Sequence, residues 1–220
     1  MVEGVRGGCL AVLASVVWAG GLSGQGLADY DYENLSVGGF GIEAGWVFPS
    51  RLEGTPSITA RFDLGLLGPS FRLASSLSYW STEFKASEVT EFEDRLEELI
   101  VLSDPGSTPT VDLGQLRWSD VVVGVDGQYV WSGNGVAELF IGSGFSVHLM
   151  NGDGAAIKDT FVEDLLDRVT LGLNGHAGAG FQLNSRFQVL GQIRYEVLDD
   201  LSYPELRAGG VFLLGGGTAR

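Results

Sequence analysis

Residues 38–48 read GGFGIEAGWVF, and their alternation decides the fold. One set of alternate positions is Phe40, Ile42, Ala44, Trp46 and Phe48; the other is Gly39, Gly41, Glu43, Gly45 and Val47. A period of two places the two sets on opposite faces of a strand. A strand over a soluble core has an apolar inner face and a solvated polar outer face. Here the face opposite the bulky set is mostly glycine with one carboxylate, so the question is which face looks inward.

The same rhythm returns over 57–66, 70–80, 120–131, 136–149, 169–182, 187–197 and, more weakly, 206–214. That makes eight runs, each of about ten residues and so long enough to cross a bilayer when tilted. Tight turn signals at 67–69, 132–135 and 184–186 alternate with longer segments at 49–56, 82–116, 150–168 and 198–205. Short turns at one end and long loops at the other describe an antiparallel up-and-down meander. Two of the long loops carry helical patterns. Over 85–102, Val89, Phe92, Leu96, Leu99 and Ile100 form one apolar stripe on an otherwise acidic segment. Over 160–168, Thr160 and Glu163 make a capping box ahead of Leu165 and Leu166.

The chain ahead of the first run divides off. Arg6 is followed by the apolar stretch from Cys9 to Ala19 and the small-residue site at Ala28, which is the form of a signal peptide spanning 1–28. Residues 29–214 are then the barrel and 215–220 a short tail. The one cysteine falls in the leader, so the mature chain has no disulfide and no CxxC site.

Charge decides the faces. The formal net charge is −15, and the segments 82–116, 150–168 and 198–205 carry net −7, −3 and −3 of it, all at one end of the meander. Within the strands the charges are sparse, include no lysine, and fall mostly on the small-residue face, among them Glu43, Arg61, Asp63, Arg72, Asp126, Glu138, Arg194 and Glu196. A soluble lipocalin-type barrel would turn the bulky set inward and charge the other face densely. This sequence does the reverse, as the narrow interior of a closed eight-stranded barrel requires. The bulky set also ends in aromatic residues, Trp46, Phe48, Tyr79 and Tyr195 toward the long loops and Tyr129, Trp131, Phe181 and Phe187 toward the short turns. Two aromatic girdles flanking an aliphatic band mark a lipid-facing surface. The expected fold is an all-β, closed, eight-stranded antiparallel transmembrane β-barrel with short helices in two long loops. The glycine face with Glu43 lines the lumen.

On these runs, turns and loops the chain resembles the small eight-stranded bacterial outer-membrane β-barrel proteins of the OmpA, OmpX and OmpW type. The resemblance covers essentially the whole of 29–214 and rests on the ensemble, since each motif is degenerate. It implies a monomer in a Gram-negative outer membrane, with acidic loops outside and both termini in the periplasm. Its implied partners are outer-membrane lipid, lipopolysaccharide and the barrel-assembly machinery. One departure is the end of the chain, which runs past Phe212 to GGGTAR instead of finishing on an aromatic residue.

Residues able to do chemistry are few. His148 and His176 both fall on the lumen face, and Ser146 lies two residues before His148 on that face. A Ser-His-carboxylate hydrolase would need a serine beside the histidine on the surface side, and none stands there, so no catalytic residue is assigned. Asn151-Gly-Asp153-Gly154 starts like a calcium loop, but its twelfth position is Val162 instead of a bidentate Glu. No metal and no cofactor is expected, and a chain this acidic does not suit nucleic acid. The reading is a structural, adhesive or surface-interacting barrel with a narrow lumen filled by polar and charged side chains. The alternatives are a barrel transporting small or apolar solutes, a lipid-modifying outer-membrane enzyme, and a soluble secreted ligand-binding barrel.

Overall fold

Alternating bulky and small residues form eight strands that follow one another around a closed barrel, in a computed structural model that describes residues 35–132, 136–158, 160, 166–199 and 201–214. The order is β1 (Leu35–Val47), β2 (Thr55–Leu66), β3 (Phe71–Glu83), α1 (Ala86–Ser103), β4 (Arg117–Ser132), β5 (Ala137–Asp153), β6 (Arg168–Asn184), β7 (Phe187–Val197) and β8 (Ser202–Leu213). Each strand pairs antiparallel with its neighbours in sequence. β1 closes on β8 with Ile42 opposite Gly210 and Val47 opposite Glu205. Closure leaves no strand edge unpaired. The expected leader 1–28, the tail 215–220, the turn at 133–135 and most of the helix expected over 160–168 lie outside the described residues.

The opening question has a direct answer. Phe40, Ile42, Ile58, Val125, Phe145 and Leu171 are exposed on the outside, whereas Glu43, Arg61, Asp126 and Arg194 are buried inside. Small residues inside are a steric need at particular places. At Gly172, for example, a Cβ would stand 2.8 Å from both Glu196 Oε1 and His148 Nε2. Gly65 adopts φ 91° at a bulge opposite β3, where its N–H donates to Asp63 Oδ1 at 2.9 Å.

Several strands reach further toward the long loops than the alternation indicates. β3 runs to Glu83, β4 starts at Arg117, β5 ends at Asp153 and β8 starts at Ser202. The cause is a change of interior. Near this rim the inward residues are apolar, with Trp80, Trp118, Met150 and Tyr203 all buried, so the contrast between faces fades. They pack with Val47, Leu52, Leu198 and Leu201 into a cluster that caps the barrel. Trp80 meets Tyr203 edge-on at 5.7 Å, and Phe84 stacks on Trp118 at 5.5 Å.

The helix expected over 85–102 is α1. Its stripe packs Val89, Phe92 and Leu96 against Leu113, Leu116 and Ile157 on the rim. Glu93 and Glu97 accept the backbone N–H groups of Leu113 at 2.7 Å and Val111 at 2.8 Å, so an acidic helix face fixes the return segment. Leu99 and Ile100 were expected in the same stripe, but the structure leaves both exposed together with Val101 and Leu102. The return segment turns back after Asp104, and among the described residues none covers the apolar side chains of the last helical turn.

Candidate functional site

Every inward position of the sequence-derived charge set comes from a strand whose other face is bulky, so the pleat itself aims the charges at the barrel axis. The structure places all eight there. Arg61 lies 3.7 Å from Glu43. Arg72 donates to Glu138 at 2.7 Å and lies 3.9 Å from Asp63. Arg194 donates to Asp126 at 2.8 Å and to Glu196 at 2.9 Å. The eight aromatic positions, Trp46, Phe48, Tyr79, Tyr129, Trp131, Phe181, Phe187 and Tyr195, are all exposed on the outside.

Most of these charges belong to one hydrogen-bonded column along the lumen, which Glu43 and Asp63 join only as ion pairs with Arg61 and Arg72. At the short-turn end Gln128 accepts from Arg61 (2.8 Å) and Arg72 (3.0 Å) through its amide oxygen. Its amide nitrogen must therefore donate to His176 Nε2, at 2.9 Å. That leaves the His176 proton on Nδ1, which donates to Asn174 Oδ1 at 2.9 Å. Asn174 Nδ2 in turn donates to Asp126 at 3.0 Å. Arg194 bridges Asp126 to Glu196, and Glu196 accepts the Ser146 hydroxyl. Ser146 Oγ then stands 3.0 Å from His148 Nε2, and His148 Nδ1 stands 2.7 Å from Asp120. A shorter branch joins Gln192 to Glu43 at 2.7 Å. Nearer the loops, Glu205 accepts from Arg207 and Ser57, each at 2.6 Å.

Asp120, His148 and Ser146 have the distances of a hydrolase triad, but not its hydrogen-bond sense. In such a triad the histidine accepts the serine proton. Here that proton goes to Glu196, so Ser146 Oγ is the acceptor and both ring nitrogens of His148 face acceptors. The imidazole is held as a donor and cannot act as a base toward Ser146. All three residues are at most 1% exposed, beneath the apolar cap.

Sequence reasoning passed over several members of this interior. Glu205 and Arg207 sit in a stretch divided between loop and strand. Their signal was present: Tyr203, Glu205 and Arg207 alternate with Pro204, Leu206 and Ala208, and the structure turns the first set inward. The apolar cap gave no such signal, because Leu52, Leu198 and Leu201 come from loops. The lumen is therefore polar over most of its length and apolar at one mouth, a correction to an interior expected to be polar throughout. Asn151 and Asp153 lie within β5.

No protein-family model matches the chain, and no curated protein matches it. Among solved structures, it is similar to Neisserial surface protein A, with 13% identity, a TM-score of 0.51 and coverage of 82% of this chain and 99% of that one. It also aligns with Ail, the attachment invasion locus protein of Yersinia pestis, at 10% identity and TM-score 0.49, over 80% and 97% of the two chains. A third match is the N-terminal β-barrel domain of Pseudomonas aeruginosa OprF, at 11% identity and TM-score 0.48, over 80% and 98%. The fold is that of the small eight-stranded outer-membrane barrels that the sequence resembles.

Proposed function

We propose that the protein is a plugged outer-membrane barrel, a rigid scaffold that carries an acidic loop cap at the cell surface and conducts neither ions nor solutes. The observation that carries this reading is the lumen itself. A continuous column from Glu138 to Asp120 fills it, and the cluster around Trp80, Trp118 and Tyr203 covers one mouth.

The outer surface supports the membrane location. An apolar band all around a barrel far exceeds the few hundred Å² that a soluble monomer leaves exposed. In lipid the same band costs nothing, and closure supplies the backbone partners that lipid cannot. On this reading the short turns and both termini are periplasmic, and lipid, lipopolysaccharide and the barrel-assembly machinery are the partners. The acidic segments then meet the environment, directly or through divalent cations shared with lipopolysaccharide.

The column disfavours transport. Water or solute must break charge-assisted hydrogen bonds to pass, and each buried pair left half-made costs several kcal/mol. It disfavours hydrolysis as well, because Ser146 has no base and no access. The test is single-channel recording on protein refolded into planar bilayers, with folding checked by faster gel migration before boiling. The reading expects a folded barrel with no stable conductance step. A large, steady conductance from a heat-modifiable barrel would overturn it in favour of transport.

A further inference from the structure

The last turn of α1 presents four apolar side chains in a row, Leu99, Ile100, Val101 and Leu102, all of them exposed. Leu99 and Leu102 stand out the furthest, at 61% and 71%. Single exposed apolar residues are ordinary, but a contiguous group rimmed by polar residues marks a contact surface. Four consecutive residues wrap a full helical turn, so this surface is a tip and not a stripe.

The approach to the tip is acidic, and its acids differ in what they already hold. Glu93 and Glu97 accept the backbone N–H groups of Leu113 and Val111, Glu91 pairs with Arg95, and Glu88 lies 4.0 Å from Arg51. Asp94 and Glu98 are exposed and form no hydrogen bond or ion pair with any described residue. They lie four residues apart and so on one side of the helix, and Leu102 follows Glu98 at the same spacing. Two unpaired carboxylates and an apolar anchor therefore run in one line along α1.

Charge complementarity decides the occupant. A second copy of this chain would bring segment 82–116, with its net charge of −7, against its own twin. An anionic lipid surface meets the same repulsion. A cationic surface with an apolar side pairs with Asp94 and Glu98 and covers Leu102 at once.

We propose that this ridge and tip of α1 dock a basic amphipathic segment of another protein, its cations over Asp94 and Glu98 and its apolar side chains on the tip. The apolar contact supplies most of the affinity, because exposed ion pairs contribute little. The carboxylates select the sign of the partner and speed its approach, an effect that salt screens beyond about 10 Å at 0.1 M. Such a partner is what the acidic loop cap meets, and it reaches α1 from outside the cell only on the reading proposed above. Its binding is measured whether or not the barrel conducts, so the two can fail separately.

The test is methyl NMR of the full chain folded into phosphatidylcholine nanodiscs, titrated with an amidated peptide of alternating lysine pairs and leucine pairs. The expected result is saturable shifts of the Leu99, Ile100, Val101 and Leu102 methyls, with those of Leu171 in the outer band unmoved. The same peptide with glutamate in place of lysine is expected to bind at least about tenfold more weakly, since like charges repel. Leu99→Ser/Leu102→Ser changes exposed positions only, and is expected to keep the heat-modifiable fold and to weaken binding about tenfold. Asp94→Asn/Glu98→Gln is expected to weaken it about two- to tenfold, the scale of two exposed ion pairs. The absence of saturable shifts at the tip would overturn the proposal, as would equal binding of the glutamate peptide or unchanged binding by Leu99→Ser/Leu102→Ser. Tip methyls broadened by a paramagnetic lipid without peptide would overturn it in favour of the bilayer. Tip shifts that grow with protein concentration alone would overturn it in favour of a second copy.

Discussion

His148 Nδ1 and Asp120 Oδ2 are 2.7 Å apart across the β4–β5 pair, both residues being at most 1% exposed. Trp80 faces Asp120 across β3 and β4, and Tyr203 meets the imidazole edge-on at 6.5 Å. The pair therefore sits where the polar column meets the apolar cap. Removing the carboxylate leaves a donor with no acceptor in an apolar setting. Asp120→Ala is expected to lower stability by about 1–3 kcal/mol, the desolvation cost of one stranded buried group. Removing both partners in Asp120→Leu/His148→Leu is expected to cost less than the two single changes added together. Urea unfolding of liposome-reconstituted barrels, read by gel mobility, checks this. Strict additivity would mean that the two groups do not depend on one another.

Arg194 is the joint of the column. It is 2% exposed and donates to Asp126 and Glu196 at once. Arg194→Met leaves two buried carboxylates without their shared cation and is expected to destabilise by about 3–5 kcal/mol. Adding Asp126→Asn and Glu196→Gln neutralises both and is expected to restore much of the loss, because groups in one network do not add independently. The same urea titration measures both. A triple variant weaker than Arg194→Met alone would show that the carboxylates keep other partners of equal worth.

The sequence showed the eight strands, the two faces and the inward charges for one reason, that a pleat turns alternation into sidedness. Glu43 among glycines was readable because a carboxylate on a small-residue face has few other places to go. What failed to show is equally physical. The loop-side cap joins Val47 and Met150 from strands to Leu52, Leu198 and Leu201 from loops, and no local pattern links residues brought together only by closure. Leu99 and Ile100 continue a perfect helical stripe, yet the stripe outlasts the surface it packs on. Periodicity reports which face is apolar, not how far the partner extends. The role of Gln128 as the hub for Arg61, Arg72 and His176 needs three-dimensional register and could not be read from spacing.

Two glycines three residues apart on β6 separate packing from backbone effects. A Cβ at Gly172 meets Glu196 and His148 at 2.8 Å, whereas one at Gly175 meets nothing within 4 Å. Gly172→Ala is expected to cost about 1–3 kcal/mol by forcing the column apart. Gly175→Ala is expected to be neutral or to stabilise by about 0.5–1 kcal/mol, since glycine weakens a strand interior. Equal effects at both sites would mean that the lumen is loosely packed around Gly172.

Phe145 and Leu102 are exposed to the same degree, 73% and 71%, in different settings. Phe145 lies at the middle of β5, opposite Val125 and Leu173, whose side chains share the outer band. Leu102 lies in the last turn of α1, outside the barrel wall. Exposure alone gives both positions the same tolerance for charge. A bilayer around the band does not, because an arginine near the midplane of a lipid-facing strand costs about 2–4 kcal/mol. Phe145→Arg is therefore expected to destabilise the folded barrel by that amount in liposomes, and Leu102→Arg to stay within about 0.5 kcal/mol, as surface changes do. If Phe145→Arg proves as harmless as Leu102→Arg, the outer band does not face lipid and the membrane reading falls with it. If Leu102→Arg alone is harmful, the tip of α1, and not the outer band, is the apolar surface that meets the bilayer.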